Sequence, residues 1–154
     1  MTAPLDNLDR KLLRLLQQDG RISNVELAER VGLSPTATSE RVKRLTREGI
    51  IAGYGARLDP VKLGRGFLVF VEVTLDKTTP DVFDRFGAAV ARAPDVLECH
   101  LVAGGFDYLV KTRVADMAAY RIFLGDVLLS LPGVRETRTY AVMEEVKATA
   151  SLPV

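Results

Sequence analysis

The chain has 154 residues, 47% of them hydrophobic and 27% charged, with 21 Lys/Arg against 20 Asp/Glu, one cysteine and one histidine. That length suits one ordinary domain or two small ones, and the composition excludes disordered, collagenous and disulfide-scaffolded classes. No apolar run approaches the roughly 18 residues of a membrane helix, and one Cys99 with one His100 argues against a disulfide or a protein zinc site.

The stretch Met1-Thr2-Ala3-Pro4-Leu5-Asp6 has no basic segment followed by an apolar one, so no signal peptide is expected and a cytoplasmic protein is. The near-neutral total conceals an asymmetry: residues 1–58 hold ten Lys/Arg against seven Asp/Glu, whereas residues 59–154 hold eleven against thirteen. The basic excess is densest at Arg41, Lys43, Arg44 and Arg47. Such a run is in the plainest case a solvated helix face, so its surroundings must decide its role.

Leu5, Leu8, Leu12 and Leu15/Leu16 recur at helical spacing, predicting a first helix that ends near Asp19-Gly20. Ser23 and Glu26 fit a capping box, and Ile22 with Leu27 a hydrophobic staple, for a second helix closed by Gly32 after Val31. Ser34 offers an N-cap and Pro35 a first helical position for a third helix that runs to Gly49, with Val42 and Leu45 inward and Lys43, Arg44 and Arg47 mostly outward. Three helices with a tight Gly-containing turn describe a helix-turn-helix, against the alternative of a small bundle without a nucleic-acid role. In the DNA-binding geometry the third helix presents its N-terminal residues to base edges, and cations further along meet phosphates.

Residues 50–58 read as extended, and Asp59-Pro60 breaks them. A strand is expected from Phe67 to Leu75, then a helix from Thr79-Pro80 to Pro94 carrying Val82/Phe83, Phe86, Ala89/Val90 and Ala93 on one face. Strands follow over Val96 to Ala103 and Tyr108 to Val114. A helix from Asp116 carries Tyr120, Phe123/Leu124, Val127/Leu128 and Leu131, and a last strand covers Glu136 to Val146. The order β-α-β-β-α-β is the ferredoxin-like pattern, giving an α+β chain with a helix-turn-helix in front. Leu68 and Phe70 point away from the face of Phe67, Val69, Val71 and Val73, so a second copy of the chain is expected to cover them. Cys99 alternates with Leu97 and Leu101 and is expected toward the core, with His100 on the other face beside Glu98 and Val102.

Asp19-Gly20-Arg21-Ile22-Ser23-Asn24-Val25-Glu26-Leu27 and Val31-Gly32-Leu33-Ser34-Pro35-Thr36, followed by Glu40-Arg41-Val42, Arg44-Leu45 and Gly53-Tyr54, resemble the DNA-binding half of the leucine-responsive regulator (Lrp/AsnC) family. Pro80-Asp81-Val82-Phe83, Glu98-Cys99-His100-Leu101-Val102, Phe106-Asp107-Tyr108-Leu109, Leu131-Pro132-Gly133-Val134 and Val142-Met143-Glu144-Glu145-Val146-Lys147 extend the resemblance over nearly the whole chain. It implies a winged helix-turn-helix over 1–52, a linking strand and linker over 53–65 containing Tyr54, and a ferredoxin-like effector-binding and oligomerisation domain over 66–154. It further implies a homodimer assembled into octamers that binds double-stranded operator DNA and a small amino-acid effector such as leucine, and activates or represses genes of amino-acid metabolism. No cofactor and no catalysis are expected.

On this resemblance the DNA-facing residues are Ser34, Pro35, Thr36, Thr38, Ser39, Lys43, Arg44 and Arg47, and the effector residues are Gly104, Gly105, Phe106, Asp107, Tyr108, Tyr140 and Ala141. The family's leucine-responsive members carry Pro, Cys and Leu where this chain has Ala37, Thr38 and Ser39, an acidic residue at Gly105, and Val at Ala141. Proline-responsive activators of proline catabolism share the family and are the nearest alternative. Sirohaem decarboxylases share the two-part architecture but use histidines, of which only His100 is present; an architectural DNA-wrapping protein is the third class. For Asp107 alone, beside Gly104-Gly105, the residues leave two roles open: a turn aspartate capping local N–H groups, or a partner for an effector ammonium.

Overall fold

The computed structural model describes residues 4–154; Met1–Ala3, part of the N-terminal stretch and of the 1–52 segment read above, lie outside the described residues. The described residues gather into two compact units, one of residues 4–57 with Lys147–Val154, the other Leu58–Val146.

The first unit holds helices α1 (Asn7–Gln18), α2 (Asn24–Val31) and α3 (Pro35–Arg47). The capping box lies at α1, where Asp6 and Asp9 exchange side-chain and backbone bonds; at α2, Ser23 caps the Glu26 N–H without the reciprocal bond. Gly32 takes the left-handed conformation (φ 76°) that ends α2, and Ser34 caps α3 with Pro35 in its first turn. The core is Leu12, Leu27 and Val31, with Leu15, Leu16, Ile22, Leu33 and Val42 packed against it. Residues 50–58 form no strand, because a strand needs a neighbour for its backbone groups and none is present there. Residues 147–154, read from the sequence as part of the second domain, gather with this unit. Gln17 explains why: its side-chain amide donates to the Leu152 carbonyl at 3.0 Å and accepts the Leu152 N–H at 2.6 Å. Leu152 and Val154 help line an apolar cavity of about 370 Å³ with Leu13, Leu16, Ile51 and Tyr54.

The second unit is a four-stranded antiparallel sheet in the order β2-β3-β1-β4, from β1 (Phe67–Leu75), β2 (Val96–Leu101), β3 (Tyr108–Val114) and β4 (Val134–Ala141), with helices α4 (Pro80–Val90) and α5 (Met117–Asp126). Val69, Val71, Val73 and Val110 are fully buried with Phe86 of α4 and Leu128, each contributing about 1.5–3 kcal/mol of apolar burial. The expected single helix from Asp116 stops at Asp126, and Leu128–Ser130 tighten into one 3₁₀ turn before Pro132. Gly133, at φ 76°, is doubly required, since a Cβ there would stand 2.9 Å from Val82 Cγ1.

Three expectations change. β4 ends at Ala141, not Val146, because its ladder on β1 stops at Val69, near the start of that strand. Leu68 is only 5% exposed in one chain: Val142 donates to its carbonyl, and Arg113, its cross-strand partner, is held by Glu145 at 2.6 Å. Leu97 and Leu101 do not share the burial of Cys99. The register slips between Val96 and Glu98, so Leu97 is the extra residue of a bulge and stands exposed, while Val96 and Cys99 both pack on the core. Burial pushes the Cys99 thiol up to about 11, which keeps it protonated and inert.

Candidate DNA interface and effector cleft

The local caps fix how α3 begins. Ser34 Oγ accepts the Ala37 N–H at 3.2 Å, and the Asn24 side chain at the start of α2 donates to the Pro35 carbonyl at 2.7 Å, tying the two helix N-termini together. Ser34, Pro35 and Thr36 are exposed, Ser39 is half-buried, and Lys43 and Arg47 are exposed further along. Seven of the eight expected DNA-facing residues, the half-buried Ser39 and Arg44 among them, therefore reach solvent from one helix. Among the described residues Lys43 pairs only with the exposed Glu40, 3.0 Å away, a surface bond easily exchanged for a phosphate.

Two residues are not where the sequence put them. Thr38 is fully buried, since it falls on the same inward face as Leu45, seven positions on. It cannot touch DNA. Arg44, expected outward, folds back onto α1: its Nη2 lies 2.6 Å from Asp9 Oδ2, and Arg41 Nη1 lies 2.9 Å from Asp9 Oδ1 and 2.7 Å from Asp6 Oδ2. Asp9 is 1% exposed. Burial pushes its carboxyl up, but the Arg44 and Arg41 guanidiniums outweigh this and hold it below the usual carboxylate value. The sequence reading missed this cluster. The pattern Asp6-x-x-Asp9 could have revealed the capping box, though nothing local reveals the arginines.

In the second unit, the β2–β3 connection passes through Gly104, Gly105 and Phe106, whose N–H groups donate to no protein atom among the described residues. They border an open cleft of about 320 Å³, completed by the 74–78 segment, Asp107 and Arg135. A smaller recess of about 120 Å³ adjoins it, lined by Glu72, Arg138 and their neighbours. Free N–H groups with an arginine suit a carboxylate, and acidic side chains suit an ammonium.

Asp107 is anchored rather than free. Its Oδ2 accepts the Leu75 N–H at 2.7 Å, its own N–H donates to Val73, and its carbonyl accepts from Val102. Tyr108 is a core residue: its ring stacks on Phe86 at 4.3 Å, and burial raises its phenol. Tyr140 and Ala141 do not line the cleft, because the β4 register sets them opposite Phe70 and Val69 while Glu136 meets Thr74. Four residues of strand, about 13 Å, separate Tyr140 from that end. Tyr140 instead donates its hydroxyl to Glu72 at 2.9 Å.

Comparison with known proteins matches both units. The Lrp/AsnC ligand binding domain matches residues 68–152, and the winged helix-turn-helix DNA-binding family matches residues 5–52. The leucine-responsive regulatory protein of Salmonella typhimurium is 61% identical over 148 residues, covering 96% of this chain and 90% of that protein; its Escherichia coli counterpart is 60% identical over the same coverage. Among solved structures, a transcriptional regulator from Neisseria meningitidis in complex with L-Met is similar at TM-score 0.92 and 41% identity, covering 97% of each chain. An AsnC family transcriptional regulator from Agrobacterium tumefaciens is similar at TM-score 0.92 and 35% identity, again covering 97% of each.

Proposed function

Because this chain belongs to the Lrp/AsnC family of DNA-binding, ligand-binding transcriptional regulators, we propose that it controls genes of amino-acid metabolism in response to a small amino acid such as leucine. The observation that carries the reading is the cleft at Gly104-Gly105, where backbone N–H groups without a partner among the described residues line one open volume with Arg135, Lys77, Asp76 and Asp107. The names of the leucine-responsive relatives and the L-Met bound to the Neisseria regulator support an apolar amino acid as the class. Gly104, Gly105 and Phe106 hold the effector carboxylate with Arg135, and the free oxygen of Asp107 is the candidate for the ammonium. The DNA site is Ser34, Pro35, Thr36 and Ser39 at the bases with Lys43 and Arg47 on phosphates. The working form is a homodimer, assembled further toward an octamer. The effector acts by differential affinity for two arrangements of the assembly.

A thermal-shift screen of the twenty amino acids tests the sensing, since a ligand of the folded state raises its melting temperature. Leucine or another apolar amino acid is expected to do so, and calorimetry on Arg135→Ala should show about ten- to a hundred-fold weaker binding, one charge-assisted hydrogen bond. A screen in which none of the twenty moves the melting temperature defeats amino-acid sensing. Asp107→Ala should melt earlier because Leu75 loses its acceptor. Unchanged effector affinity in that variant would reduce Asp107 to a turn residue.

A further inference from the structure

Four cations crowd α3, yet they are not equivalent. Asp9 receives Arg41 on Oδ1 at 2.9 Å, Arg44 on Oδ2 at 2.6 Å and the Asp6 N–H on Oδ2 at 3.3 Å, and Asp6 adds a second contact to Arg41 at 2.7 Å. Arg44 Nη1 also lies 3.7 Å from Glu48 Oε2, one turn further along α3, so three carboxylates hold the two guanidiniums. The carboxylate at the centre is 1% exposed. An arginine leaving it would take one of two cations from a buried carboxylate, a cost greater than one exposed phosphate contact returns. Lys43 and Arg47 have no such tie to α1: Lys43 meets only exposed Glu40, and Arg47 forms no ion pair among the described residues.

The same cluster sets the rotation of α3. Thr38 and Leu45 are fully buried and Arg41 lies between them, so Asp9 clamps the middle of the inward face. With that face held, the Ser34–Thr36 turn can only present itself outward.

We propose that Asp9 is a positioning residue for sequence recognition: it holds Arg41 and Arg44 against α1, fixing the setting of α3 and withholding both cations from the DNA backbone. Attraction to any duplex is left to Lys43 and Arg47, and discrimination to the N-terminal turn. The inference rests on the DNA-binding reading of α3. It makes Asp9 an internal competitor of phosphate, whose loss should strengthen indiscriminate binding while weakening discrimination.

The test compares the parent with Asp9→Asn, Arg44→Gln and Arg47→Gln on two probes, a duplex the parent selects from a random-sequence pool and a scrambled duplex of equal length, across a salt series. Asp9→Asn should bind the scrambled duplex more tightly, with a log–log salt slope steeper by about one unit, and its selected-to-scrambled affinity ratio should fall about tenfold. Arg44→Gln should leave the parent slope unchanged, while Arg47→Gln should flatten it by about one unit. A merely structural Asp9 would lower the melting temperature and leave slope and ratio as they are; that result overturns the proposal. So does an Arg44→Gln slope as flat as that of Arg47→Gln, and this comparison decides alone if Asp9→Asn fails to fold. A parent that selects no duplex overturns the DNA-binding reading as well, and is told apart by failing before any variant is made.

Discussion

Two buried threonine hydroxyls show what a single atom can cost. Thr112 Oγ1 donates to the Asp95 carbonyl at 2.7 Å, whereas Thr38 Oγ1, equally buried, has no hydrogen-bond partner among the described residues. A buried hydroxyl without a partner costs about 1–3 kcal/mol. Thr38→Val keeps the branched shape, so it should raise the stability of the first unit by about 1 kcal/mol, read as a higher urea midpoint at constant slope. The DNA sequence selected should not change, since the side chain faces inward. A lowered midpoint would mean that the hydroxyl has a partner after all.

Between elements, the α1–α3 clamp carries a pH signature. Asp6 is lowered first by the Asp9 backbone N–H and then by Arg41, and Asp9 by Arg44 and Arg41 against its burial, both below the ordinary 3.8. Groups depressed in the folded state add stability above the unfolded value and lose it as pH falls through the folded one. The first unit should therefore hold its melting temperature down to about pH 4 and lose it progressively below. Asp6→Asn keeps an N-cap oxygen but not the charge, so its melting curve should fall less steeply over that range. Coincident parent and variant curves below pH 4 would show that the pairing adds nothing. Much at this scale was legible in the sequence because its causes are local: Ser23, Gly32, Ser34 and Pro35 act on their own turns, and the β1 alternation follows from one strand. Asp9 with Arg41 and Arg44, the Leu97 bulge and the early end of β4 were not. Each depends on which chain segment lies opposite, and no spacing within one segment carries that. The cleft was half legible, since Gly104-Gly105 marks a turn, while Arg135 comes from thirty residues further on.

For the molecule as a whole, the case for assembly moves to new residues. Leu68 is covered within one chain and Phe70 is half-buried, whereas Leu97 and Leu101 on β2 are 52% and 62% exposed, and Ile122 and Leu129 stand out from α5 and the turn after it. Large apolar side chains exposed in a single chain mark surfaces that associate. Light scattering at micromolar concentration should give at least twice the 16.9 kDa of one chain. A stable species at the single-chain mass would defeat this. The charge asymmetry has a separate effect: with the basic excess confined to residues 1–58, the first unit is the part that duplex DNA attracts, and that attraction weakens with salt.

The bond between Gln17 and Leu152 spans 135 residues of sequence, although both belong to the same compact unit. The apolar hollow beside α1 is finished by side chains that the ribosome adds only after all of the other unit. At about 5–20 residues per second, that interval is on the order of ten seconds. During it, the hollow beside Leu13 and Leu16 lacks the wall that Leu152 and Val154 supply. The helices of the first unit are made before one wall of their own hollow, so a translation product truncated between the two would carry α3 on an incomplete support.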